Sequence, residues 1–278
     1  MKLASINAPA VLLASLALCT LARPAVAAPF TDKNLEAAVR AVLQEEKGPL
    51  TDDKLNNVYV LELSDKPVQS LAGLEKCKNL SLLKLAKCGV ADISALKGLT
   101  NLQSLDLSNN HLTDVKPLAS LTNLQYLDLS NNQVTDIAPL AKLVNLNALY
   151  LNRNKVHDIS ALGGLTKLSS LLLGQNDVKD IGVLTKITHL STLDLNDNCV
   201  SDLSPLTKQT EIGLIMLNHN KIMDLAPLVK MCQADAAGQK RFAPYLRLYI
   251  EGNPLTDTAK AKQLPELQKI GVRLNPKS

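Results

Sequence analysis

Side chains able to do chemistry are few in this chain. Past residue 27 there are four histidines (His111, His157, His189, His219) and four cysteines (Cys77, Cys88, Cys199, Cys232). Imidazoles and thiolates ligate zinc, and they serve as base and nucleophile in many hydrolases. No HExxH, GxSxG, CxxC or phosphate-cradling loop is present. Set into the 22-residue period that runs through the chain, the four histidines fall at four different positions. One constellation remains: Asp177 with Cys199, and Asp197 with His219, are pairs one period apart. On a stack of coils these four would converge on one rim, either as a metal site or as a solvated edge of mixed charge. The second reading is preferred. No catalytic residue, metal ligand or cofactor is assigned, and the chain is read as not an enzyme.

The elements that must position these residues are repeats. From Val58 to Gln233 the chain divides into eight gapless units of 22 residues, starting at Val58, Leu80, Leu102, Leu124, Leu146, Leu168, Leu190 and Ile212. Positions 1, 4 and 6 are always apolar, and the alternation across a polar position 5 is that of a strand with one buried face. Position 9 is Asn from Asn110 to Asn220. A buried Asn has two donors and an acceptor for backbone groups where the chain leaves the strand, so these side chains should stack as a ladder. Cys88 and Lys66 replace Asn in the first two units, so the ladder is expected to begin in the third. Position 13 is Asp from Asp92 to Asp224, and Pro117, Pro139, Pro205 and Pro227 occupy position 16. Asp ahead of Pro fits the start of a short helical turn, where free N–H groups favour an acceptor. A single unit cannot bury its apolar face, whereas a stack can.

The pattern LxxLxLxxNxIxDIxPLxxLxx over residues 58–233 resembles the 22-residue leucine-rich repeats of bacterial internalin-like proteins. The resemblance implies an α/β solenoid: a curved array with a parallel β-sheet on the concave face, short 3₁₀ or α turns on the convex face, and helical caps. At residues 28–57, Asp32–Glu46 reads as an amphipathic cap helix with Leu35, Val39 and Leu43 on one face, ended by Gly48-Pro49. Thr51 is placed to cap a second helix. Residues 234–278 hold an insertion (234–244), a ninth strand at Tyr245–Ile250, and a helix over Thr256–Gln268 interrupted near Pro265. That last stretch resembles the terminal cap of bacterial leucine-rich-repeat proteins.

Composition agrees with an aliphatic stack: apolar residues make up 46% and aromatics only 3%, with no Trp. The apolar run Ala10–Leu21 is short for a bilayer span, and Ala25-Val26-Ala27 has the small-x-small pattern of a cleavage site. Residues 1–27 are therefore read as a signal peptide, with a retained anchor helix as the alternative. Cleavage would remove Lys2 and Arg23 and lower the formal net charge of +4 by two. A nearly neutral surface argues against nucleic acid as partner. No sorting motif or C-terminal anchor is seen, so release into the periplasm, envelope or medium is expected, with no membrane span after cleavage and the chain a monomer. The cysteines fall in columns that do not pair, since a disulfide needs Cα atoms within about 7 Å, and they read as small fillers.

Ligands of a solenoid meet the concave sheet, whose outward positions are expected to be 3, 5, 7 and 8. Tyr126, Tyr150 and Leu172 fall there in neighbouring coils. Asp106, Asp128, Arg153 and Asp194 surround them, and Met216 with Leu214 forms a second apolar spot. An aromatic centre with a charged rim has the composition of an interface hot spot, although Tyr is also a good residue on any exposed strand. The sequence thus points to an exported scaffold that binds a protein or envelope polymer through its concave face. The alternatives are a structural envelope protein without a discrete ligand and, third, a metal-dependent enzyme.

Overall fold

The structure, a computed structural model, describes residues 29–276. The signal peptide expected over residues 1–27 lies outside them. Ten short strands form one parallel sheet in chain order: β1 (Val60–Glu62), β2 (Leu82–Lys84), β3 (Ser104–Asp106), β4 (Tyr126–Asp128), β5 (Ala148–Tyr150), β6 (Ser170–Leu172), β7 (Thr192–Asp194), β8 (Leu214–Met216), β9 (Arg247–Tyr249) and β10 (Arg273–Leu274). Through β8 the register advances by one 22-residue unit per strand, as in Ser104↔Tyr126 and Tyr126↔Ala148. A slip of one residue would turn the buried position 4 outward. Leu105, Leu127, Leu149, Leu171 and Leu193, all at position 4, have no exposed surface, and burying a Leu contributes about 1.5–3 kcal/mol.

Single turns of 3₁₀ helix lie opposite the sheet, for example Lys116–Ser120, Ala138–Lys142 and Ser160–Gly164. Each of these three opens where the position-13 Asp accepts a bond from the backbone N–H two residues on, as Asp114 does from Lys116, Asp136 from Ala138 and Asp158 from Ser160, all at 2.8 Å. The Ser160 turn has no Pro, so the carboxylate rather than the ring is the constant starter. These bonds stabilise the Asp158 carboxylate and hold its pKa below the ordinary value.

The asparagine ladder ties each coil to the next. Asn132 Nδ2 donates to Leu107 O and Leu129 O, each at 2.9 Å, and its Oδ1 accepts from Leu112 N at 3.0 Å. The ladder begins at Asn110, in the third unit. Asn110 Oδ1 takes both Cys88 N and Val90 N, and Cys88 Sγ, a weak donor, lies 3.1 Å from Leu63 O. The four cysteines among the described residues are free, and of these only Cys199 is exposed. Burial pushes the Cys77 thiol up to about 11 and that of Cys232 to about 12.

The ends depart from the period. At the start, α1 (Lys33–Leu43) buries Leu35 and Val39. It stops at Gln44, in left-handed backbone at φ 54°, short of Glu46. Asp32 caps it: Oδ1 accepts from Leu35 N at 2.9 Å while Oδ2 accepts from Gln69 N at 2.8 Å, tying the cap to the first coil. The second helix, α2 (Asp52–Leu55), follows Thr51, whose side chain makes no capping bond.

At the other end Leu214 pairs with Arg247, and the longer coil between them contains α3 (Ala226–Ala237). The terminal helix runs as a π-helical turn, Ala259–Gln263, into α4 (Leu264–Ile270), with Pro265 in its first turn. A proline ring lacks an N–H and crowds the carbonyl four residues back; the π turn just before it widens the helix there. Beyond the nine strands expected, β10 adds a tenth. Asn275 Oδ1 accepts from Ile250 N at 2.9 Å, at the position where Leu217 N in the previous coil meets the backbone oxygen of Tyr249. Among the described residues no helix is long and apolar enough to cross a membrane.

Candidate functional site

Strand alternation places positions 3 and 5 of every coil on the open, concave face of the sheet. Position 8 follows in left-handed backbone in each coil, from Lys87 through Asn109, Asn131, Arg153, Gln175 and Asp197 to His219, with φ between 53° and 57°. Asn and Asp tolerate this region better than most residues. Position 7 is not uniformly outward: Ser108 is buried, as is Gly174. The side chains at this position serve neighbouring backbone, as where Asn152 Oδ1 accepts from Gly174 N at 2.7 Å.

Tyr126 on β4 and Tyr150 on β5 meet edge to face, with ring centroids 5.3 Å apart and planes at 81°. Both are partly exposed. The register partners of Tyr126, Ser104 and Ala148, are small. Tyr150 is paired in register with Asp128 on one side and Leu172 on the other, and the Tyr126 hydroxyl stands 3.5 Å from Asp128 Oδ2. Burial, then the nearby carboxylates of Asp128 and Asp106, push the Tyr126 phenol well above its ordinary value. Burial also raises the Asp128 carboxyl, although the Ser130 backbone N–H at 2.8 Å opposes the shift. Asp106 is the direct register partner of Asp128 and accepts from Ser108 N at 2.9 Å.

The remaining candidates are dispersed. Arg153 lies on the adjoining edge, where Nη1 reaches Asn131 Oδ1 at 3.5 Å. Asp194 is not an exposed rim charge: it is 9% exposed, and a Cβ added to Gly174 would lie 2.8 Å from its Oδ2. The missing side chain of Gly174 thus leaves the space that Asp194 fills. Burial raises its carboxyl above the ordinary value too. Met216 pairs in register with Asp194, two strands beyond Leu172 and apart from the tyrosines. Of the four metal-type candidates the structure brings together His219 Nδ1 and Asp197 Oδ1, at 2.9 Å on the exposed edge. Among the described residues no three His, Cys, Asp or Glu side chains converge.

One surface escaped the sequence reading. Gln103, Gln125 and Asn147, at position 2, line a polar groove of about 480 Å³ with Asn123, Asn145 and Lys167 at position 22. The latter column is partly spent on the stack itself: Asn123 and Asn145 donate to Thr100 O and Thr122 O, and Lys167 Nζ donates to Asn145 Oδ1 at 2.7 Å. The recurrence of amides in both columns was the available signal.

The profile of the leucine-rich-repeat family, described as leucine rich repeats (2 copies), matches residues 78–120, 100–142, 122–164 and 166–208. The crystal structure of an internalin C2 from Listeria monocytogenes is 35% identical, with a TM-score of 0.71, covering 73% of this chain and 91% of that one. The chain belongs to the internalin-like leucine-rich-repeat family. A second internalin of that organism, inlF, is 25% identical with a TM-score of 0.56, over 90% of this chain and 98% of the other. A leucine-rich-repeat protein of Leptospira interrogans shares the fold at 20% identity and a TM-score of 0.60, over 80% and 67%. No curated protein sequence matches the chain. An internalin-like repeat array is a protein-interaction scaffold, and the fold is typically a non-enzymatic one.

Proposed function

We propose that this protein is an exported recognition module that binds a protein or envelope polymer through its concave face, with Tyr126 and Tyr150 at the centre of the contact. The observation that carries this reading is the edge-to-face tyrosine pair, partly exposed on the sheet and flanked by Asp106, Asp128 and Leu172. Tyrosines supply large contact area at low conformational cost and dominate interface energetics when they lie near the centre. Five of the ten residues at positions 3 and 5 of β3 to β7, Tyr126, Tyr150, Ala148, Leu172 and the methyl-bearing Thr192, offer apolar surface there. Export is supported by the apolar run Ala10–Leu21 followed by Ala25-Val26-Ala27.

The test is crosslinking capture from the native envelope. Tyr126→Ala with Tyr150→Ala is expected to weaken capture by at least about tenfold, the effect of losing hot-spot side chains, while far-UV circular dichroism and the thermal midpoint stay near those of the parent. Undiminished capture by the folded double variant defeats the reading.

A further inference from the structure

We propose that Tyr126, Tyr150, Asp106 and Asp128 together receive one organic cation, the guanidinium or ammonium of an Arg or Lys side chain presented by a protein partner. The proposal rests on the concave-face reading above and adds the chemistry of the occupant.

The first support is a charge conflict on the open sheet. Asp106 and Asp128 face each other across adjacent strands, and parallel neighbours lie about 4.8 Å apart. Like charges directly opposite on a sheet are destabilising. Nothing in the fold requires both. Each carboxylate accepts one backbone N–H two residues on, a bond that an amide oxygen would make equally well.

The second support is how the same face treats acids two coils earlier. Glu62, in the same column, is paired with Lys84 at 2.9 Å, and Asp65 beside it with Lys87 at 3.4 Å. Lys84 is also the register neighbour of Asp106, yet its ammonium is turned to Glu62. Among the described residues no Lys, Arg or His nitrogen lies within 4.0 Å of either Asp106 or Asp128. Arg153 reaches Asn131 instead. The chain therefore neutralises its acids at the edge of this face and leaves two of them bare beside the aromatic pair.

The third support is the aromatic geometry. In an edge-to-face pair the ring that presents its edge keeps both of its faces clear of its partner. A cation within about 6 Å of such a face is attracted by the ring quadrupole. The Asp128 carboxylate is partly desolvated, which strengthens its attraction for a cation. Two carboxylates without a third ligand make a poor cage for a hard metal ion. A neutral hydroxyl-rich polymer would leave both negative charges uncompensated.

The experiment is an NMR titration of the protein carrying labelled tyrosine rings. The probes are the peptide acetyl-Gly-Ser-Arg-Ser-Gly-amide and the same peptide with citrulline, a neutral isostere of arginine. The arginine peptide is expected to shift the Tyr126 and Tyr150 ring signals saturably. The citrulline peptide, and the arginine peptide on Asp106→Asn with Asp128→Asn, should each bind about tenfold more weakly, as expected on losing a charge-assisted contact. Equal binding of the two peptides, or no saturable shift, overturns the proposal. Envelope capture separates the two levels. If the tyrosine variant loses capture and the aspartate variant keeps it, the cation receptor fails while the concave-face reading survives. If the tyrosine variant keeps capture, the concave-face reading itself has failed.

Discussion

The buried asparagine column and the open column of position 5 both stack polar side chains in register, yet they leave their polar atoms in opposite conditions. Asn154 spends its whole capacity inside the stack: Nδ2 donates to Leu129 O, Leu151 O and Asn152 O, and Oδ1 accepts from Val134 N. Asp128 takes the Ser130 N–H on one oxygen, and its other oxygen stands 3.5 Å from the Tyr126 hydroxyl, with no cation among the described residues on either. A side chain saturated by its own fold has nothing left for a partner. A half-desolvated carboxylate with an uncommitted oxygen costs stability and keeps its capacity for binding.

Breaking the first column should have the largest effect. Asn154→Ala strands carbonyls and an N–H in a buried turn, and a loss of about 3 kcal/mol of unfolding free energy is expected, since each unsatisfied buried group costs about 1–3 kcal/mol. Urea titration reads it, and a loss below about 1 kcal/mol would show that the ladder is dispensable. The N-terminal cap is a milder case of the same economy. Asp32→Ala removes the acceptor for Leu35 N and Gln69 N and should cost about 1–2 kcal/mol. Faster amide exchange should appear in α1 before it appears in the central coils.

The second column should behave with the opposite sign. The folded-state pKa of Asp128 is raised above its ordinary value of 3.8 by desolvation; hydrogen bonds from Ser130 oppose the shift, Asp106 adds a repulsive charge, and Tyr126 adds a weaker opposing hydrogen bond. The charged form is therefore disfavoured by folding. Its penalty is present above the folded pKa and disappears as pH falls through that value toward 3.8. Asp128→Asn should thus be more stable than the parent near pH 7, by roughly a few tenths of a kcal/mol given the solvent screening at this half-exposed site. The gap should close in acid. A variant less stable than the parent at neutral pH would show that the Asp128 carboxylate belongs to the scaffold.

Much of this was legible in the residues. The 22-residue period, the Asn column and the Asp column are each a local rule repeated, so neighbouring coils confirm one another in the sequence itself. The irregular parts had no such redundancy. The helix α3 replaces a single 3₁₀ turn in one coil only, and β10 is two residues long, held by pairing with β9 and by the side chain of Asn275. For the site, periodicity placed Tyr126 and Tyr150 on one face, but it treated Asp194 as a rim charge. Its burial depends on a glycine one coil away.

The sequence by itself determined the solenoid, because stacking identical units is the only way their apolar faces leave water, and the 22-residue spacing sets the register. Tertiary structure alone decided which polar side chains are consumed and which are left over. Glu62 and Asp106 occupy the same column, and both are register neighbours of Lys84. The lysine has one ammonium group and it closes on Glu62, so the acids beside the tyrosines remain unpaired.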